Sequence, residues 1–142
     1  MPLQPDPVQD VIVVGAGPAG IGVAAALTRI GLQPVIVDRS GIGATFRRWP
    51  HGMRLLTPSF TSNQFGLVDL NAITPDTSPA LSLLDEHPTG PDYAAYLEMV
   101  AKLHELDVVT GIEVVDVRPA ADGLLEVVPS GTAHCAVLST RS

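Results

Sequence analysis

Val11-Ile12-Val13-Val14 is an unbroken run of β-branched side chains that ends on a glycine cluster, the pattern of a short strand covered on both faces. From Pro18 to Ile30 the residues are mostly small and apolar, with Leu27 and Ile30 spaced to face a sheet and Gly31 standing where a helix stops. Pro34 to Asp38 is a second β-branched run, closed by a carboxylate. A strand, a crossover helix and a strand in so short a stretch predict a right-handed parallel βαβ unit.

Ser40 to Gly90 holds no sustained period and is punctuated by Pro50, Pro58, Pro75, Pro79 and Pro88, so it reads as a long loop of the kind that usually carries function or covers a ligand. Helical spacing returns over Pro91 to Leu106, with Tyr93, Tyr96, Leu97, Val100 and Leu103 on one stripe and Asp92, Glu98, Lys102 and Glu105 off it. The partly alternating, β-branched stretch from Val108 to Val117, the turn from Ala120 to Gly123 and the returning stretch from Leu124 to Val128 together predict a strand followed by an antiparallel hairpin. Ala133 to Ser139 predicts one further strand. The expected fold class is therefore α/β: a Rossmann-like parallel sheet with an antiparallel β hairpin, spanning residues 10–142 behind a flexible segment over residues 1–9.

The junction between the first strand and its helix reads Gly15-Ala16-Gly17-Pro18-Ala19-Gly20, a G-x-G-x-x-G placed where it has a mechanism. Gly15 makes the tight turn, Gly17 leaves room for a diphosphate to approach the backbone, and Gly20 with Ala24 allows helix and strand to pack closely. The amides and the positive end of the helix then face the phosphates. Asp38 closes the second strand roughly 20 residues further on, where an acid accepts hydrogen bonds from an adenosine ribose. These residues predict a dinucleotide site and leave FAD and NAD(P) both open, because Arg39 next to Asp38 could meet a 2′-phosphate.

Composition narrows the partners. The chain has 142 residues, the length of one domain, a formal charge of −7 and a pI near 4.8, which excludes a clustered basic surface for nucleic acid. The uncharged run from Val11 to Leu27 falls short of the roughly 20 residues that a membrane span needs and contains Pro18, so no membrane segment is expected. Met1 to Asp10 lacks the basic and apolar parts of a signal peptide, which makes a cytoplasmic location the expectation. Cys135 is the single cysteine, read as a buried strand residue, and the four histidines are too scattered for a metal site. His87 reads as a turn residue rather than a base.

From Asp10 through Thr140 the chain resembles the FAD/NAD(P)-dependent oxidoreductases related to flavin-containing monooxygenases. Val11-Ile-Val-Val-Gly-Ala-Gly-Pro-Ala-Gly20 is similar to that family's N-terminal FAD fingerprint, in which a proline such as Pro18 follows the second glycine, so the resemblance favours FAD. Gly43-Ala44-Thr45-Phe46 is similar to the family's Gly-Gly-Thr-Trp segment beside the flavin. Arg48-Trp49 and Leu55-Leu56-Thr57-Pro58 resemble the family's next stretch of chain. The resemblance places Gly43, Thr45, Phe46, Arg48 and Trp49 near FAD, Val114 near the adenine, and Asn63-Gln64-Phe65 loosely near the reactive end of the flavin.

Val137-Leu138-Ser139-Thr140-Arg141 resembles the family's strand ending in Ala-Thr-Gly, with Arg141 in place of the glycine. Relatives of this kind carry a second G-x-G-x-x-G in an inserted NADPH domain and a closing FAD segment, which these residues do not contain. The fold is thus expected to be incomplete relative to the full family fold, and the chain to be a truncated FAD-binding portion. Full-length relatives would reduce FAD with NAD(P)H and oxidise a small organic substrate, chemistry in which the flavin reacts and the protein orients it. No catalytic acid, base or nucleophile is assigned. Two further readings stand: a non-catalytic NAD(P)- or FAD-binding module, and a remnant subunit whose open final strand pairs with a partner chain or a second copy.

Overall fold

In the computed structural model, which describes residues 8–60, 69–131 and 137–139, the first βαβ unit forms as its local pattern dictates. Strand β1 (Val11–Val14) pairs in parallel with β2 (Pro34–Asp38), Val11 opposite Pro34 and Val14 opposite Val37. Helix α1 (Pro18–Arg29) crosses between them, with Pro18 in its first turn, where the missing N–H costs nothing. Its buried face is Ile21, Ala24 and Ala25. Ile30, expected on that face, is 73% exposed, because the chain leaves the helix at this residue and Gly31 turns away at φ +87°.

The long segment after β2 contains two short helices that its composition concealed, α2 (Ala44–Arg47) and α3 (Pro79–Leu83). Helix α4 (Gly90–Leu103) follows, started by a reciprocal capping box between Thr89 and Asp92. Tyr93, Tyr96, Leu97 and Val100 are buried as the stripe predicts and join Ile21, Ala24 and Ile36 in one core cluster. The helix is shorter than the expected span to Leu106. Glu105 adopts φ +52°, and the Leu106 amide donates back to the Ala101 carbonyl, which closes the helix and leaves Leu103 57% exposed.

The stretch from Val108 to Val117 divides between the expected strand and the first arm of the expected hairpin. Strand β3 (Asp107–Thr110) adds in parallel to β2, completing a sheet of order β1-β2-β3. Gly111 then breaks the run at φ +80°, and β4 (Val114–Pro119) belongs to a second, antiparallel sheet with β5 (Leu124–Pro129) and β6 (Val137–Ser139), order β4-β5-β6. Of the last expected strand, residues 133–136 lie outside the described residues. The architecture is α/β, with the parallel sheet and the antiparallel hairpin that the sequence predicts. Among the described residues, no helix is long and apolar enough to cross a membrane.

Buried hydroxyls hold the segment between α2 and α4 to the core. Tyr96 is fully buried, and its hydroxyl accepts from the Ile73 amide at 2.9 Å and bonds the Thr77 hydroxyl at 2.7 Å. The Tyr93 hydroxyl donates to the Asn71 carbonyl, and the Asn71 amide group donates to the Thr57 carbonyl and to the Ser59 hydroxyl. The bonds of the Tyr96, Tyr93 and Ser59 hydroxyls satisfy polar groups that packing has removed from water, whereas the bond from Asn71 to Thr57 is exposed.

Candidate functional site

Gly15 sits at φ +102°, a conformation that glycine enters at little cost, and bends the chain from β1 toward α1. Its amide donates to the Val37 carbonyl at 2.8 Å, and the Ala16 carbonyl accepts from Gly43 at 3.0 Å, so the bend is tied to β2 on one side and to the start of α2 on the other. The three motif glycines have separable roles. A Cβ on Gly20 would stand 1.9 Å from the Gly15 carbonyl oxygen, so this position is required by helix-strand contact. A Cβ on Gly17 would meet nothing within 4 Å. Packing does not require that glycine; its bare Cα faces open space at the N-terminus of α1.

Gly17 is also the N-cap of α1 and provides no side chain to satisfy the first-turn amides. An uncapped helix start with its positive dipole end exposed is a site for an anionic group. A cleft of about 370 Å³ opens there, floored by Gly17 and Pro18 and walled by Asp38, Gly43, Thr45 and Arg48. Phe46 lines the same cleft, and Ala19 lies in the first turn of α1.

Asp38 faces this bend. One carboxylate oxygen accepts from the Ala16 amide at 2.9 Å, and the other accepts from the Ser40 and Gly41 amides at 2.7 Å each. Burial alone would raise its pKa, but the three amides, aided by the Arg39 charge, outweigh it and hold the carboxyl below its ordinary value. The side chain is therefore a fixed carboxylate at neutral pH. Three accepted bonds use most of its roughly four lone-pair sites, leaving about one for a ligand hydroxyl.

A second hollow of about 240 Å³ continues past Asp38 and Arg39 to Val14, Glu113 and Val114, between the C-terminal ends of β1 and β2 and the start of β4. Arg39 and Glu113 form an ion pair across it, Nη1 to Oε1 at 3.2 Å. Val114, expected near an adenine, thus lies on the same cleft as Asp38.

The aromatic residues divide. Phe46 packs against Trp49 and edge-on against Tyr93, each with ring centroids 4.9 Å apart. Trp49 lies beyond Phe46 and lines a separate hollow of about 330 Å³ with Met53, Arg54 and Thr89. Gly43, at φ +65°, is a packing requirement as well as a cleft residue, because a Cβ would come within 2.8 Å of the Ala94 Cβ. Arg48 is exposed on the cleft and makes no ion pair among the described residues, whereas Arg47 is engaged by Glu98.

His87 is structural. Its Nδ1 lies 2.9 Å from the Leu55 carbonyl, which can only accept, and its own carbonyl accepts from Arg54, which also pairs with Asp85. Asn63, Gln64, Phe65, Cys135, Thr140 and Arg141 lie outside the described residues. Sequence reasoning missed Ser40 and Gly41, whose amides hold Asp38, and Glu113, which holds Arg39. An aspartate followed by Ser-Gly is a legible signal for the first two, since such a side chain commonly binds amides two and three residues on.

Comparison with known proteins places this geometry. The family model for pyridine nucleotide-disulphide oxidoreductase matches residues 12–135. Among solved structures, a mutant flavin monooxygenase from Stenotrophomonas maltophilia is 26% identical with a TM-score of 0.71, over 92% of this chain and 36% of that one. The bacillithiol disulfide reductase of Staphylococcus aureus is 21% identical with a TM-score of 0.69, again over 92% and 36%. OTEMO, solved in complex with FAD and NADP, is 20% identical with a TM-score of 0.66, over 94% of this chain and 24% of that one. The chain thus spans about a third or less of the length of these structures.

Proposed function

We propose, since the chain belongs to the pyridine nucleotide-disulphide oxidoreductase family, that its cleft holds the ADP half of FAD and that it is the FAD-binding portion of a flavin-dependent, monooxygenase-like oxidoreductase. The observation that carries this reading is the pairing of an uncapped helix start at Gly17, open where a Cβ would sit, with a carboxylate locked beside it by the Ala16 amide. An anionic diphosphate fits the first feature and a ribose hydroxyl the second.

In this reading Gly15 and Gly20 shape the bend, Pro18 presets the first helical turn, and Gly17 and Ala19 receive the diphosphate. Asp38 orients the ribose, Arg39 and Val114 border the adenosine, and Gly43, Thr45, Phe46 and Arg48 lie toward the flavin, with Trp49 packed against Phe46 and lining a separate hollow. A bound flavin supplies the electron transfer, with NAD(P)H as the reductant in full-length relatives and a small organic molecule as substrate. This chain's own contribution is to bind and orient. A cytoplasmic setting belongs to the same reading: one cysteine in the chain leaves no internal disulfide that would call for an oxidising compartment.

The test is a titration of the purified protein with FAD, followed by flavin fluorescence, with NADP⁺ titrated in parallel. Saturable FAD binding that 5′-ADP displaces supports the assignment. Tighter NADP⁺ than FAD binding would instead favour a nicotinamide-nucleotide module, and binding of neither would refute both.

A further inference from the structure

At the proposed adenosine end of the cleft three charged groups line one hollow: the carboxylates of Asp38 and Glu113 and the guanidinium of Arg39. Asp38 is held by three backbone amides and cannot turn toward Arg39 without abandoning them. Among the described residues Arg39 is the only cation on this hollow, and its Nη1 is 3.2 Å from Glu113 Oε1. The loop that presents Glu113 is fixed by its backbone. The Ile112 amide donates to the Asp38 carbonyl at 3.2 Å, and the Ser130 amide donates to the Glu113 carbonyl at 2.7 Å. Glu113 is therefore held opposite Arg39 by bonds that do not involve its side chain.

We infer that Glu113 is a specificity-determining residue, which occupies Arg39 and turns the adenosine end of the cleft against nucleotides that carry a 2′-phosphate. The inference rests on the dinucleotide reading above. In sites of this kind an acid at the end of the second strand selects a free ribose hydroxyl, and a neighbouring arginine admits the 2′-phosphate. Here the arginine is present but engaged, and the hollow carries two negative charges against one positive. A dianionic 2′-phosphate would have to displace a carboxylate from Arg39 and then lie near both acids. Adenosine with free ribose hydroxyls meets no such opposition. Both side chains of the pair are more than two-fifths exposed, so its strength is that of a surface ion pair, modest and screened by salt.

The experiment titrates the parent chain, Glu113→Ala and Arg39→Ala with 5′-ADP and with adenosine 2′,5′-bisphosphate by calorimetry at low salt. The expected result is that the parent prefers 5′-ADP, and that Glu113→Ala tightens the bisphosphate about fivefold while 5′-ADP changes less than about twofold, in line with the release of one exposed ion pair. Arg39→Ala should show no such gain, since the freed cation is what the phosphate would use. An unchanged preference in Glu113→Ala, with 5′-ADP still bound, overturns the role of Glu113 and leaves the dinucleotide reading standing. Failure of the parent to bind either nucleotide overturns both.

Discussion

The Asp38 carboxylate accepts a hydrogen bond of 2.9 Å from the Ala16 amide, so the acid at the end of β2 is built into the glycine bend and does not merely lie beside it. The bond joins the two halves of the βαβ unit at the point where a ligand would touch both. Loss of the side chain should therefore act on binding and on the bend together. Asp38→Ala is expected to weaken FAD by about 1 to 3 kcal/mol, the scale of a charge-assisted hydrogen bond to ribose. Fluorescence titration checks this, and an unaltered affinity would remove Asp38 from the site.

The same bond makes stability depend on acid. Because the folded state holds the Asp38 carboxyl below its ordinary value, its contribution is full above the unfolded value near 3.9 and is lost as pH falls through the lower folded value. Asp38→Asn, which cannot titrate, should show a shallower loss of thermal stability between about pH 5 and pH 2 than the parent. Parallel melting curves over that range would contradict the assignment.

Gly17 and Gly20 should separate binding from folding. Gly17→Val places its side chain in open space with an extended backbone that valine tolerates, so the melting temperature should hold while FAD binding is abolished. Gly20→Ala forces a methyl to within 1.9 Å of the Gly15 carbonyl oxygen and should cost about 2 to 3 kcal/mol in denaturant unfolding.

Tyr96→Phe should destabilise by about 1 to 3 kcal/mol, because the part-buried Ile73 amide loses its partner, while the Thr77 hydroxyl keeps its bond to Thr74. Urea unfolding measures it; a change below about 0.5 kcal/mol would mean that water replaces the hydroxyl.

The βαβ unit was legible because its signals are local: both strand ranges and the start of α1 follow from runs of β-branched residues bounded by glycine, proline and aspartate. The point at which the stretch from Val108 to Val117 divides was not, since β-branched composition is the same whether a strand pairs in parallel with β2 or antiparallel with β5. Gly111, a lone glycine in that run, was the available warning. The end of α4 escaped because Glu105, not glycine, takes the left-handed position. Within the candidate site, the motif and its spacing pointed to Gly15, Gly17 and Asp38, which line the hollows, and to Gly20, which helix-strand contact requires. The Arg39–Glu113 pair joins residues 74 positions apart, a contact that no local pattern records.

The proposed binding at this cleft depends on main-chain amides at the bend after β1 facing a cofactor diphosphate. Amide NMR of the isotopically labelled chain during 5′-ADP titration tests this at the atoms concerned. Saturable shifts centred on the Gly17, Ala19 and Gly20 amides, extending to Ser40 and Gly41, are the predicted result. Binding that leaves those amides unmoved while others shift would contradict it.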